Sequence, residues 1–361
     1  MKNKKKVLLD LERLRYPNSG IANVFRNLVI GFNELEKPSD VEVTLFGPIN
    51  TLKSLETKFS IVARNALHKL LSFFTLRYNV LHTSHQLSSY FHNKYKQQKK
   101  IVTLHDLNFL HEEVSEKKYK KELGKVKMNI ENADVIVCIS DFTKQDLLAN
   151  KDLFNYTSSP ELIVIHNGMQ FPELKPYELG QFDFLVGKKY ILNIGVLFPK
   201  KNQLSLIKML PFIEENLVLV VSGEKDYYKA ELVAEMKRLD VEERVYVVSN
   251  ISEDEKWALV QNCTSMCHPS FAEGFGIPPI EAMYFGKPVF LSNLTSLPEI
   301  GGEIANYFTS FETEDMVSVY KRGMNEHNSD KELKSEKLTS WAKRYDYLEM
   351  ARNYLELYKR V

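Results

Sequence analysis

Two glutamates eight residues apart, Glu273 and Glu281, flank a loop that holds Gly274, Phe275, Gly276 and Ile277 and runs into Pro278 and Pro279. Glycines let a ligand approach the backbone closely, and a proline is tolerated in a helix's first turn because its missing N–H has no partner there. The string therefore predicts a strand ending at His268, a glycine-rich loop, and a helix beginning near Pro279. Backbone N–H groups at such a helix start, together with the helix dipole, form an anion site, and both carboxylates can face the same ligand. A plainer account is that Glu281 only complements the dipole and that the glycines form a turn. Lys200 and Lys201 follow another apolar run. Positive charge at a helix start opposes the dipole, so an anionic ligand explains the pair better than a solvated face does. His105 and Asp106 stand at a further strand end. The histidine is a site candidate, and the aspartate suits a cap as well as a contact.

These residues need elements to hold them. Short apolar runs suggest strands at 6–10, 41–46, 101–104, 135–139, 162–166, 190–194, 218–222, 245–248, 265–268 and 288–291. Many are continuous rather than alternating, as in strands buried on both faces of a parallel sheet. Helical patterns lie between most of them, at 21–35, 116–132, 144–150, 202–215, 229–239, 253–262 and 280–285. Repeated alternation of this kind predicts an α/β, doubly wound architecture. Residues 168–187 break the rhythm with Pro172, Pro176, Gly168, Gly180 and Gly187. The expected organisation is an N-terminal domain over 1–175, a linker over 176–188, a second Rossmann-like domain over 189–338, and a helix over 339–361 that packs back on the first domain.

With 361 residues, the chain suits two domains. Its 48 Lys/Arg against 47 Asp/Glu leave a net charge of +1, which argues against a nucleic-acid partner. Charge divides along the chain, however: residues 1–180 carry 26 basic and 20 acidic side chains, the rest 22 and 27. Three cysteines (Cys138, Cys263 and Cys267) form no disulfide framework and suggest a reducing compartment. The spacing of Cys263, Cys267 and His268 is wrong for zinc and reads as core. The Met1–Lys6 cluster resembles a signal n-region, but the apolar run after it stops at Asp10. No run reaches the length of a membrane span, and the expected location is cytoplasmic. Gly286-Lys287 is not a Walker A motif, since Pro288 follows.

The run from Glu273 to Met283 resembles the E-G-F-G-x-P-x-x-E-A-M signature of family 4 retaining glycosyltransferases, which have the GT-B fold. Further matches follow in order: Ser19-Gly20-Ile21, His105-Asp106, Ile139 to Lys144, His166-Asn167-Gly168, Gly195 to Asn202, Ser222-Gly223-Glu224, and Ser296 to Glu299. Asp10 and Arg13, here with two residues between them, resemble the Asp-x-Arg start of a subgroup that contains many bacterial mannosyltransferases of surface polysaccharide assembly. There is no D-x-D as in GT-A enzymes, which usually hold the nucleotide through a metal.

This resemblance implies a hexosyltransferase that takes a nucleotide sugar as donor, GDP-mannose first and a UDP-hexose after it, with retention and without a metal or other cofactor. Lys201, supported by Lys200, would neutralise the diphosphate, and Gly20 and Gly223 would offer backbone around it. Glu281 would bind the ribose and Glu273 a sugar hydroxyl. Gly274, Phe275, Gly276 and Ile277 would line the sugar, and His105 would sit beside it. His105, Glu273 and Lys201 are the expected catalytic residues. A GT-B epimerase and a catalytically silent GT-B subunit are the alternatives.

Residues 59–77 show helical amphipathicity: Val62, Ala66, Leu70, Phe73 and Phe74 gather on one side, and Arg64, His68, Lys69, Ser72 and Thr75 on the other. Such a helix either lies in a membrane interface or faces a core. Lysine clusters at 94–100 and 117–127 add cationic charge suited to an anionic bilayer. The expected acceptor is a glycan or a polyprenyl-diphosphate-linked glycan, with peripheral attachment to a membrane surface.

Overall fold

A computed structural model describes residues 4–361 except 17–18, 37–39, 71, 113 and 158. The start of the basic Met1–Lys6 cluster, Met1 to Asn3, lies outside the described residues. The chain forms two compact units. One comprises Met1–Gln170 with Tyr345–Val361, and the other Phe171–Arg344. The break thus falls at 170/171 rather than at 175, and residues 176–188 belong to the second unit, where 180–185 form 3-10 turns. Counted over these units, the first carries 28 Lys/Arg against 21 Asp/Glu and the second 20 against 26.

The first unit is a seven-stranded parallel sheet. Its strands are β1 (Lys5–Asp10), β2 (Val41–Gly47), β3 (Ser60–Ala63), β4 (Val80–Thr83), β5 (Lys99–Leu104), β6 (Val135–Cys138) and β7 (Glu161–Val164), in the order β3-β2-β1-β4-β5-β6-β7. Val7 sits between Val43 and Val80 in the register, so β1 is central, and its residues Val7–Leu9 are fully buried. Helices α1 (Gly20–Glu34), α2 (Ile49–Lys53), α3 (Glu116–Ile130) and α4 (Asp141–Ala149) connect the strands. Ser19, Ser115 and Ser140 cap α1, α3 and α4, each hydroxyl accepting a bond from a first-turn N–H.

The second unit is a six-stranded parallel sheet of β8 (Tyr190–Leu197), β9 (Asn216–Glu224), β10 (Val245–Ser249), β11 (Ser265–His268), β12 (Val289–Ser292) and β13 (Asn306–Phe308), in the order β10-β9-β8-β11-β12-β13. Its helices are α5 (Gln203–Met209), α6 (Asp226–Arg238), α7 (Glu253–Asn262), α8 (Ile277–Tyr284), α9 (Leu297–Gly301), α10 (Thr313–Ser329) and α11 (Lys331–Ala342). Cys263 and Cys267 are buried and free, with burial pushing the Cys263 thiol up to about 12, as core cysteines should be.

The last helix, α12 (Tyr347–Arg360), returns to the first unit. It packs on α1 where Gly31 leaves room: a Cβ there would lie 2.7 Å from Ala351 Cβ. Gly168 does the same for the helix start, since its Cβ would meet Tyr347 Cα at 2.6 Å. Inside, Tyr358 Oη is 2.6 Å from His82 Nδ1, and Thr103 Oγ1 bonds both His82 Nε2 (2.8 Å) and Tyr354 Oη (3.0 Å). Among the described residues no helix is long and apolar enough to cross a membrane.

One expected element is absent. The described residues of 59–77, all but Leu71, form no such helix: they begin as edge strand β3 and continue as isolated 3-10 turns, Leu67–Lys69 and Phe73–Thr75. The β-branched pair Ile61-Val62 pairs in register with Leu45 and Phe46 of β2, and that sheet contact overrides the helical periodicity.

Candidate active site

In both sheets the first strand of the unit lies where the strand order reverses, between β1 and β4 and between β8 and β11. Crevices outside the carboxyl ends of strands at such switch points are where open α/β sheets bind ligands. The sequence candidates fall there.

In the second unit, β8 ends in a 3-10 turn, Pro199–Lys201, and Asn202 takes a left-handed φ of 54° before α5. This turn lays the Lys201 stem over Gly195, where a Cβ would lie 4.0 Å from Lys201 Cε. The loop after β11 is held by its neighbours. Phe271 N donates to Lys200 O (2.7 Å), Ser292 Oγ to Ser270 O (2.5 Å), and Ser296 Oγ to both Glu273 O (3.1 Å) and Phe275 O (2.8 Å). Thr295 Oγ1 accepts from Glu273 N at 3.1 Å. Gly276 has φ +116°, and a Cβ there would press on Leu297 Cδ2 at 2.8 Å, so this position needs glycine.

This framework brings three side chains together. The ammonium of Lys201 and the Nε2–H of His268 both donate to Glu273 Oε1, the latter at 2.6 Å. Lys201 and Glu273 side chains are only 14% and 12% exposed, and His268 is buried. Burial pushes the Glu273 carboxyl up, but the Lys201 and His268 charges and hydrogen bonds outweigh it and hold the group well below the usual carboxylate range. His268 Nδ1 is buried without a hydrogen-bond partner, and the ring reaches Glu273 through Nε2. The sequence pattern marks His268 as a strand end and, beside Cys263 and Cys267, as core, not as a site residue.

Glu281 lies apart from that trio in the hydrogen-bond pattern. It is buried in α8, and Lys256 Nζ from α7 donates to its Oε1 at 2.9 Å. Lys256 also reaches Glu253 (2.8 Å) and lies 3.8 Å over the Trp257 ring. Burial would lower the Lys256 pKa, but the two glutamates raise it above its ordinary value. Lys256 was not among the expected site residues. Helix α8 starts at Ile277 rather than near Pro279, so Pro278 and Pro279 remove two N–H groups from its first turn and Glu281 falls beyond that turn. The helix start is a poorer donor set than the sequence suggested, which leaves Lys201 as the principal positive charge of this loop. Gly223 lies at the end of β9, beside the register shift between Gly195 and Leu197.

In the first unit, His105 follows β5 and is 3% exposed. Its Nε2–H donates to Ser84 O (2.9 Å), and its backbone N–H to Gln86 Oε1 (3.1 Å). The ring stacks on His85 at 5.4 Å, and Phe25 meets its edge at 5.9 Å. Burial, with a contribution from Arg13, brings the His105 pKa down to about 4 against the Ser84 bond, so the ring is neutral at pH 7 and Nδ1 carries a lone pair. His85 Nδ1 accepts from Leu87 N (2.9 Å) and faces Arg13 Nη2 (3.3 Å). Asp10 at the end of β1 accepts from Ser88 Oγ (2.6 Å) and Glu12 N (3.0 Å), and burial raises it to about 6. Asp106 Oδ1 accepts from Asn108 N (3.1 Å), capping a 3-10 turn. Gly20 opens α1, and a Cβ there would meet nothing within 4 Å. Ser84 and His85 were missed because β4 itself was missed.

Residues 179–337, within the second unit, match the family model of glycosyl transferases group 1. The chain carries a group 1 glycosyltransferase domain. The glycosyltransferase is 26% identical over 336 residues to O-antigen chain mannosyltransferase B of Escherichia coli, covering 82% of this chain and 85% of that one. It is 27% identical over 227 residues to the serotype-specific mannosyltransferase WbdA of E. coli, covering 59% of this chain and 27% of WbdA, so it matches about a quarter of that longer protein. Among solved structures, Anabaena Alr3699/HepE in complex with UDP has a TM-score of 0.71 at 19% identity, covering 99% of this chain and all of that one. The lipopolysaccharide outer core galactosyltransferase WaaB, in its apo form, has a TM-score of 0.65 at 17% identity, covering 98% and 99%. The fold is that of GT-B glycosyltransferases, two parallel-sheet Rossmann-like units. Two family landmarks thereby gain structural reasons in this glycosyltransferase: Gly168 makes room for α12, and Ser296 staples the loop that carries Glu273.

Proposed function

We propose that this glycosyltransferase moves mannose from GDP-mannose, with a UDP-hexose as the next donor to test, onto a glycan or polyprenyl-diphosphate-linked acceptor in bacterial surface polysaccharide assembly. The observation that carries the reading is the buried Lys201–Glu273–His268 cluster at the switch point of the group 1 domain. The mannosyltransferase relatives support the choice of sugar.

In the proposed reaction the bond between the anomeric carbon and the diphosphate oxygen breaks, and negative charge grows on the diphosphate. Lys201, with Lys200 beside it in sequence, supplies the compensating charge, so no metal is required. Preorganised charge of this kind is the largest lever on such a barrier. Glu273 takes a sugar hydroxyl and Glu281 the ribose hydroxyls. In the first unit, neutral His105 keeps Nδ1 as a hydrogen-bond acceptor. No side chain acts as nucleophile: the acceptor hydroxyl enters on the face the diphosphate leaves, and its proton passes to the leaving phosphate, giving retention. The protein works as a peripheral enzyme at a membrane surface.

The test is turnover of a panel of GDP- and UDP-sugars with a soluble mannoside acceptor, with and without EDTA, and NMR assignment of the new anomeric centre. GDP-mannose turnover with retention, insensitive to EDTA and abolished in Glu273→Ala and Lys201→Ala, is expected. An inverted product, a metal requirement, or full activity in either variant overturns the corresponding part.

A further inference from the structure

The turns that replace the expected helix present an unusual surface. Phe74 stacks on His68 (4.1 Å) and on Phe46 (5.8 Å), and Phe46 is itself buried among Leu8, Tyr78, Tyr90 and Phe91. Gln98, 1% exposed, donates from Nε2 to Thr75 O (2.6 Å) and Tyr78 O (3.0 Å). The segment is therefore anchored to the sheet from beneath. Above that anchor, Leu67, Leu70, Phe73 and Leu76 are 61%, 84%, 62% and 49% exposed. Isolated apolar residues on a surface need no explanation, whereas a cluster within ten residues marks a contact.

Its charge says what kind. From Thr57 to His105 the sequence contains no aspartate or glutamate and eight Lys/Arg. Lys94 and Lys99 are matched by Asp134. Arg64, Lys69 and Arg77 have no carboxylate partner among the described residues; Lys69 lies 5.8 Å over Tyr90, and Arg77 donates to Tyr78 Oη at 2.8 Å. An open groove of about 400 Å³ at the patch is lined by Val62, His68, Phe73, Phe74, Leu76 and Arg77. Large aliphatic and aromatic side chains beside unmatched cations, with no acidic residue nearby in the sequence, complement an anionic bilayer. Phosphates take the cations, and the acyl region takes the apolar side chains.

We propose that residues 64–77 are the membrane-entering segment of this protein: Leu67, Leu70, Phe73 and Leu76 insert at the headgroup–acyl boundary, while Arg64, Lys69 and Arg77 lie at lipid phosphates. This rests on the peripheral attachment in the proposed function and adds the residues that make it. It is a wedge of turns tied to a sheet edge, not an amphipathic helix laid on the surface.

The test is co-sedimentation of the full chain with phosphatidylcholine vesicles and with vesicles that also contain phosphatidylglycerol, for wild type and for Leu70→Glu/Phe73→Glu. Wild type is expected on the anionic vesicles, weakening with salt, and the double variant should bind at least about tenfold less. Its melting curve and its turnover of a soluble acceptor should be unchanged, because both side chains are exposed. No wild-type binding to either vesicle overturns the attachment and the segment together. Equal binding by the variant overturns the segment and leaves attachment standing. Wild-type self-association lost in the variant, without vesicle binding, shows a protein contact instead and also overturns it.

Discussion

The ion pair between Lys201 and Glu273 makes a sharp energetic prediction. Removing one partner of a buried pair strands the other, at about 3–5 kcal/mol, whereas removing both is far cheaper. Here each side chain keeps a little exposure and His268 still donates to position 273, so about 2–3 kcal/mol is expected for Lys201→Met or Glu273→Gln alone. The double variant should lose no more than about 1 kcal/mol in all. The coupling is then about 3–5 kcal/mol, well outside the roughly 0.5 kcal/mol by which independent sites depart from additivity. The assay is urea unfolding followed by tryptophan emission, which reports on the second unit because the chain's two tryptophans, Trp257 and Trp341, both lie there. Since the folded-state pKa of Glu273 is depressed, its contribution is present above its ordinary value of 4.5 and lost as pH falls toward the folded value. In Lys201→Met the chief cause of that depression is gone, so the acid-side loss should shrink. Turnover should be absent from all three variants, including the one whose stability is restored. Additive stabilities within about 0.5 kcal/mol, or an unchanged acid profile in Lys201→Met, would refute the reasoning.

Three further outcomes are expected. Asp10→Asn should stabilise the first unit at pH 7 by up to about 3 kcal/mol, since the folded carboxyl sits near 6 against an ordinary 3.8. The wild-type penalty should grow as pH rises from about 4 to 6 and be missing from the variant, as denaturation followed by tyrosine-region circular dichroism at several pH values will show. Tyr358→Phe should cost about 1–3 kcal/mol by leaving His82 Nδ1 buried without its 2.6 Å partner, and hydrogen exchange should localise the loosening to α12. His268→Ala should reduce kcat while the melting curve stays cooperative, and His268→Gln, which keeps an N–H for Glu273, should recover part of the loss; equal activity in the two variants counts against a positioning role.

Much of the fold was legible because buried parallel strands are apolar runs. In the first unit β1, β2, β5, β6, β7, α1, α3 and α4, and most of the elements of the second, stand within a few residues of where the runs and helical patterns predicted them. Strands β3, β4 and the short β13 were missed, and the first two share a cause in long-range contacts. β4 reads Val80-Leu81-His82-Thr83, and the histidine hides a fully buried strand until Tyr358, 276 residues away, is seen to satisfy it. β3 has two central β-branched residues in a segment whose wider spacing suits a helix, and only pairing with β2 decides between them. The same limit applies to the site. Motif spacing located Lys201, Glu273, Glu281 and His105, but His268, Lys256 and His85 enter through contacts that no spacing encodes.

Those contacts bear on how the proposed chemistry starts. A lysine kept for a diphosphate is costly to bury bare, and Glu273 meets that cost while the donor is absent. An arriving diphosphate must then compete with Glu273 for the ammonium. If Glu273 had no other donor, Lys201 would turn to the diphosphate only by leaving a carboxylate stranded in a half-dry loop. His268 removes that obstacle, because its Nε2–H stays on Glu273 Oε1 whichever way the lysine points. The imidazole also has the right register to do so, since it ends β11 and the Ser296 staple holds Glu273 at the turn that follows. On this argument the positive charge is held ready without being exposed, and the carboxylate stays oriented for a sugar hydroxyl as the charge is handed over.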